Sequence, residues 1–116
     1  MTLAPGTTGL KVQLALDDGW FTVCELGVLL PGRGVAALLP DGRQVALFRD
    51  RAGALYAVGN RDPFTGAAVL SRGLTGTHQG RPFVASPLLK QRFDLLTGVC
   101  LDDRSVRVAT YSVRAR

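Results

Sequence analysis

The sequence is poor in the side chains that bind metals and carry redox chemistry. Its 116 residues include two cysteines and one histidine. Cys24 and Cys100 lie far apart, so neighbouring residues cannot form a Cys-x-x-Cys redox pair or a zinc knuckle, and we expect both thiols to be buried. His78, between Thr77 and Gln79, is expected to be an exposed loop residue rather than a metal ligand.

Long apolar runs are also missing. Pro31, Arg33 and Pro40 interrupt the most hydrophobic region, so no stretch of about 18 apolar residues can form a transmembrane helix. The start of the chain lacks the basic residues and apolar stretch of a secretory signal. We therefore expect a cytoplasmic protein with no membrane partner, in which residues 1–9 form a flexible leader and residues 10–116 form a single domain.

Acidic residues are fewer than basic ones, 9 against 14, which gives a formal net charge of +5. Twelve of the basic residues are arginines, scattered from Arg33 to Arg116 without a cluster. Few aromatic residues accompany them, whereas proteins that bind single-stranded nucleic acid interleave basic and aromatic side chains. This pattern argues against a nucleic-acid partner. It leaves either a solvated basic surface or one that steers the chain towards an acidic protein face.

What is abundant is short strand-like segments separated by turns. Pro40–Arg43, Asp50–Gly53 and Thr97–Gly98 have the composition of turns. No segment longer than a turn or two has helical spacing, and residues 59–80 are expected to be mostly loop because they are interrupted by Pro63, Gly66, Gly73, Gly76 and Gly80. The sequence predicts an all-β fold, a small antiparallel sandwich or barrel. Strands are predicted at 10–16, 20–24, 35–39, 44–49, 54–58, 82–85, 92–95, 105–109 and 111–114.

Two loop motifs stand out between the predicted strands. They are Asn60-Arg61-Asp62-Pro63-Phe64 and Ser86-Pro87-Leu88-Leu89-Lys90, and an aromatic strand around Phe93 and the Thr97-Gly98 turn follow the second motif. This layout resembles Rieske ferredoxin domains, in which one loop carries Cys-Pro-His and the other Cys-Pro-x-His. The resemblance implies a Rieske-like β-sandwich or barrel with two loops in the cluster-binding position.

The ligand positions of that family are altered in this sequence. The resemblance places Asp62 and Ser86 at the cysteine positions, and Phe64 and Leu89 at the histidine positions. A Rieske cluster needs two thiolates on one iron and two imidazoles on the other. Phenylalanine and leucine offer no lone pair, and hard oxygen donors replace soft sulfur poorly. The sequence therefore predicts no metal and no cofactor in this chain.

A longer string of residues narrows the resemblance. Asp62-Pro63-Phe64, 69–73, 84–88, Lys90-Gln91 and Phe93 resemble the small-subunit family of bacterial NADH-dependent nitrite reductase. The resemblance implies a partner, a large catalytic subunit that carries FAD, an iron–sulfur cluster and siroheme and reduces nitrite to ammonium in nitrate assimilation. This chain would be an accessory subunit without catalytic residues of its own.

The apolar residues at the loop tips have two interpretations. Phe64 and Leu89 could be buried and tie the two loops together in place of the metal, which would stabilise the fold. Alternatively, the tips stay exposed as an apolar patch ringed by basic residues, which is the anatomy of a docking surface. The candidate docking residues are Arg61, Phe64, Arg72, Leu88, Leu89 and Lys90.

Two other functions remain open at the level of the sequence. One is an adaptor that keeps the Rieske scaffold and binds another protein with no redox role, since a fold does not specify a function. The other is a cluster-bearing ferredoxin, which the scarcity of thiols and imidazoles disfavours. Ser71 and His78 do not suggest a nucleophile and its base, because no G-x-S-x-G elbow or defined acid accompanies them.

Overall fold

A computed structural model describes residues 9–116 of the chain and contains ten β-strands, two short 3-10 turns and no α-helix in that range. Across those residues, no helix has the length and apolar character that crossing a lipid bilayer requires. The 3-10 turns are Leu26–Val28 and Leu70–Arg72. The strands are β1 (Lys11–Leu16), β2 (Gly19–Glu25), β3 (Val35–Leu38), β4 (Gln44–Arg49), β5 (Leu55–Gly59), β6 (Leu74–His78), β7 (Arg81–Ala85), β8 (Arg92–Asp94), β9 (Thr110–Tyr111) and β10 (Val113–Ala115).

The strands form three sheets in which neighbouring strands run antiparallel. The first has the order β10-β1-β2, the second β3-β4-β5-β9 and the third β6-β7-β8. Hairpins account for most of the pairing, so the register is set locally by turns such as 40–43, where Gly42 has a φ of +92°. β9 and β10 are the exceptions, because they return from the end of the chain to pair Tyr111 with Ala57 and Val113 with Leu14.

Strand β4 explains how the sheets pack. Its run of Val45, Ala46, Leu47 and Phe48 is buried without a break, and successive side chains on a strand point to opposite faces. Val45 and Leu47 pack towards the first sheet with Val12 and Leu14, while Ala46 and Phe48 pack towards the third sheet with Val84 and Phe93. The second sheet is thus the middle layer, with one hydrophobic core on each side.

The structure confirms the all-β expectation. Each predicted segment from 10–16 to 54–58, and those at 82–85 and 92–95, overlaps an observed strand within about two residues at each end. The leader predicted at residues 1–9 lies outside the described residues except for Gly9, an exposed turn residue. The extent of the domain stays a prediction.

Four expectations need correction. The prediction for 59–80 missed a 3-10 turn and the whole of β6, although the rest of that stretch is mainly turn and loop. His78 is exposed as expected, but it ends β6 and pairs with Arg81 instead of lying in a loop. Residues 105–109 form no strand, only an isolated bridge from Arg107 to Val99. Both thiols are free, and Cys100 is buried, whereas Cys24 is only partly buried.

Candidate functional site

Both loop motifs fold into five-residue turns of one design, and a third turn repeats it. We call them turn 1 (62–66), turn 2 (86–90) and turn 3 (94–98). In each, the N–H of the fifth residue donates to the carbonyl of the first, at 2.7, 3.0 and 2.7 Å respectively. The N–H of the third residue donates to the side chain of the first, which is Asp62, Ser86 or Asp94. The first side chain therefore fixes the shape of each turn.

Turns 1 and 2 are joined by a buried hydrogen bond between their first residues. The hydroxyl of Ser86 donates to Oδ2 of Asp62 at 2.6 Å, and both side chains are almost inaccessible to solvent. The other carboxylate oxygen, Oδ1, accepts from the Phe64 N–H at 2.8 Å. Asp62 thus shapes its own turn and also holds the neighbouring one. A hydrogen bond to a charged acceptor is stronger than one between neutral groups.

The buried side-chain amide of Asn60, two residues before turn 1, also anchors this turn. The Asn60 side-chain oxygen accepts from the Ser71 N–H at 2.7 Å, and its NH₂ group donates to the Gln44 side chain at 3.1 Å. The Leu70 N–H donates to the Asn60 carbonyl at 3.0 Å. Asn60 therefore connects turn 1 to the 3-10 turn at 70–72 and to the start of β4.

The apolar tips of the two turns face solvent. Leu88 is 50% exposed and Leu89 57% exposed, so Leu89 does not tie the loops together by burial. Phe64 is 36% exposed, and its ring packs on the buried ring of Phe93 with centroids 6.2 Å apart. Phe64 thus combines the two interpretations, with part of its ring against the core and the rest presented outwards.

Three basic residues lie close to these tips along the chain. The Arg61 side chain donates to the Gly66 carbonyl across turn 1, while Arg72 and Lys90 are exposed at the ends of the second 3-10 turn and of turn 2. Lys90 has a φ of +64°, whereas glycine occupies the equivalent fifth position of turns 1 and 3, with φ of +79° in both. We call Phe64, Leu88 and Leu89, with Arg61, Arg72 and Lys90, the tip surface.

The residues of turns 1 and 2 do not fit a two-iron, two-sulfur cluster. Both carboxylate oxygens of Asp62 already accept hydrogen bonds within the turns, and Ser86 donates its proton to one of them. Phe64 and Leu89 have no donor atoms, and a cluster of this kind needs two sulfur and two imidazole ligands. Among residues 9–116, no group of three or more histidine, cysteine, aspartate or glutamate side chains could hold a metal ion.

Turn 3 carries an ion pair that sets the ionisation of its first residue. Burial raises the pKa of the Asp94 carboxyl, but hydrogen bonds from Arg81, Leu96 and Thr97, together with the Arg81 charge, outweigh burial and leave that pKa below its ordinary value. The guanidinium Nε of Arg81 lies 2.5 Å from Asp94 Oδ2. The carboxylate is thereby held in its charged form, which is the form that accepts from two backbone N–H groups.

Comparison with known proteins identifies the family. The family model for a Rieske-like [2Fe-2S] domain matches residues 19–116. The nitrite reductase (NADH) small subunit of Salmonella typhimurium is 47% identical over 98 residues, which cover 84% of this chain and 90% of that protein. The chain belongs to the Rieske-like family of nitrite reductase (NADH) small subunits. The matched region contains turns 1, 2 and 3.

Two further relatives of this family member are informative. A crystal structure from Mycobacterium tuberculosis, provisionally described as an NADH-dependent nitrite reductase small subunit, has a TM-score of 0.78 and 52% identity, covering 84% of this chain and 94% of that one. The nitrite reductase [NAD(P)H] large subunit of Klebsiella oxytoca is 40% identical over 97 residues, which cover 82% of this chain and 10% of that protein.

The structure places Asp62 and Ser86, which occupy the two altered cysteine positions, in direct contact, and it shows two things that sequence reasoning missed. One is the direct bond between Asp62 and Ser86, whose only signal was that the two cysteine positions hold one carboxylate and one hydroxyl. The other is the role of Asn60, which the sequence presents only as a polar residue before the first motif.

Proposed function

We propose that this chain is the small subunit of an NADH-dependent nitrite reductase and acts by binding the large catalytic subunit through the tip surface. The observation that carries the proposal is that apolar side chains remain exposed on turns 1 and 2, although these turns are fixed by the bond between Ser86 and Asp62. Exposed apolar groups surrounded by charged ones are the usual anatomy of a protein interface.

The Klebsiella relative supports an intimate association. Its large subunit contains a stretch homologous to this chain, so in that protein the two parts are covalently linked. We infer that the separate chain occupies a comparable place beside its own large subunit. Linkage would convert binding into an intramolecular step with a high effective concentration, whereas a separate subunit needs an interface of its own.

The chemistry is assigned to the partner. In this proposal the large subunit carries FAD, an iron–sulfur cluster and siroheme and reduces nitrite to ammonium during nitrate assimilation in the cytoplasm. This chain carries no cofactor and contributes contacts instead of ligands, because the residues of turns 1 and 2 do not fit a cluster. Analysis of the purified chain for iron and acid-labile sulfide checks this point, and stoichiometric amounts of both would contradict it.

A matched pair of variants tests the docking surface. Leu88 and Leu96 occupy the third position of turns 2 and 3, and their exposed fractions are 50% and 52%. Turn 2 precedes β8, whereas turn 3 begins at the last residue of that strand, so the two turns lie at opposite ends of β8. We expect Leu88→Asp to weaken binding to the purified large subunit by at least about 2 kcal/mol, roughly 30-fold in Kd, because an interface anchor is replaced by a charge.

Leu96→Asp is the control and should bind within about twofold of the unmodified chain, since solvent-exposed changes away from an interface have small effects. Isothermal titration calorimetry measures both affinities, and thermal melts verify that both variants fold. Equal binding by the two variants would rule out the tip surface. If the native chain copurifies with an unrelated protein and does not bind the large subunit, the adaptor function is the correct one.

A further inference from the structure

A basic groove adjoins turn 1. It has a volume of about 560 Å³ and is bordered by the start of β4, the end of β5, β9, Pro63 of turn 1 and the two residues that precede that turn. Three arginines line it, namely Arg43, Arg61 and Arg107. We call this feature the arginine groove.

The three guanidinium groups are not equally neutralised. Arg43 pairs with Asp41, with Nε 2.6 Å from Oδ2, and also donates to the Tyr111 hydroxyl at 3.3 Å. Arg61 and Arg107 instead donate to the backbone carbonyls of Gly66 and Thr97. Carbonyl oxygens hold these two side chains in place but leave their charges uncompensated.

Asp41 is the one carboxylate among the described residues that line the groove. The lining therefore has an excess of two positive charges. A concave surface with charges of one sign concentrates the potential and attracts ligands of opposite sign. Arginine also matches carboxylates geometrically, because its planar fork can donate two parallel hydrogen bonds.

We infer that the arginine groove receives an acidic peptide segment of the large subunit, with aspartate or glutamate side chains paired to Arg61 and Arg107. This inference rests on the proposed function and adds the chemistry of the partner surface. The groove is continuous with the tip surface, because Arg61 belongs to both and Pro63, which lines the groove, directly precedes Phe64. One partner could thus cover the apolar tips and extend an acidic segment into the groove.

A small side chain in the groove allows a test that removes no existing contact. Ala109 is exposed and lines the groove, and its backbone carbonyl already accepts from the Gly59 N–H at 2.9 Å. Ala109→Glu would place a carboxylate among the arginines without deleting a side-chain hydrogen bond. The matched control is Ala52→Glu, an exposed alanine in the turn after β4, at the opposite end of that strand from the groove.

Arg107→Glu provides a second variant, with Arg51→Glu in the distant turn as its control. Affinity for the purified large subunit is measured at about 50 mM and about 300 mM salt, since the screening length shortens as ionic strength rises. We expect Ala109→Glu and Arg107→Glu each to weaken binding about tenfold or more at low salt. The loss should be smaller at high salt, and both controls should stay within about twofold of the unmodified chain.

A hexaglutamate peptide is a direct probe of the groove. It should compete with the large subunit for the unmodified chain and compete less well for Ala109→Glu. If both groove variants bind like their controls while Leu88→Asp still loses affinity, the acidic-segment inference is wrong and the proposed function stands. If the unmodified chain does not bind the large subunit, both are overturned.

Discussion

The buried hydrogen bond between Ser86 and Asp62 is expected to hold turns 1 and 2 together, and Ser86→Ala removes it. The substitution deletes the hydroxyl that donates at 2.6 Å and leaves Oδ2 of Asp62 without that donor in a site with almost no solvent access. It also removes the longer bond, 3.3 Å, from the Leu88 N–H to the Ser86 oxygen, whose donor is closer to solvent. Leaving a buried acceptor unsatisfied costs about 1–3 kcal/mol. With a urea m value of roughly 1–3 kcal/mol/M, the unfolding midpoint should fall by about 1 M.

Ser105→Ala is a matched control for this experiment. The Ser105 hydroxyl donates to Oδ1 of Asp103 at the same 2.6 Å distance, but that pair is exposed. Water can replace the lost donor there, so the free energy of unfolding should change by less than about 0.5 kcal/mol. Urea unfolding of both variants, followed by circular dichroism, provides the comparison. A change for Ser86→Ala no larger than that for Ser105→Ala would refute the assignment of this bond as the connection between the turns.

Two further predictions concern turn 3 and the altered ligand positions. The folded-state pKa of Asp94 lies below the ordinary value of about 3.9, so the unfolded chain binds more protons over that range. The stability from the pair with Arg81 is therefore present above that pH and lost as pH falls through the folded pKa. The free energy of unfolding, measured at several pH values from neutral to acidic, should depend less on pH for Asp94→Asn than for the unmodified chain. An unchanged dependence on pH would contradict this prediction. A four-ligand variant should bind a two-iron, two-sulfur cluster on reconstitution, detected by iron and sulfide analysis and electron paramagnetic resonance, whereas a variant with the two cysteines alone should not. The four substitutions are Asp62→Cys, Phe64→His, Ser86→Cys and Leu89→His.

The sequence predicted those strands that carry a clear apolar pattern in their own side chains. The unbroken apolar run of β4 lies between two turn motifs, and it proved to be the central strand. β6 was missed because Leu74–His78 contains threonines and a glycine and shows no apolar alternation. Its strand conformation comes from pairing with β7, for example Gly76 with Phe83. This pairing is a backbone interaction within a short hairpin, and it leaves little trace in the side-chain pattern of β6 itself.

The candidate site was predictable in location but not in detail. The resemblance to Rieske domains placed Asp62 and Ser86 together, yet the bond between them spans 24 positions and depends on the closeness of two turns. The degree of exposure of Phe64 was also open, because packing on Phe93 requires knowledge of how turn 1 sits over β8. The arginine groove combines residues that are spread along the sequence from Asp41 to Tyr111, and no short sequence motif indicates it.

The hydrogen bond that joins turns 1 and 2 has consequences for both the affinity and the kinetics of association. Since one hydroxyl connects both turns, Phe64, Leu88 and Leu89 are positioned before any partner arrives. A preorganised surface loses little conformational entropy on docking, and a larger part of the contact energy appears as affinity. We therefore expect rigid-body recognition in a single kinetic step, in which the small subunit keeps the backbone geometry of its free form.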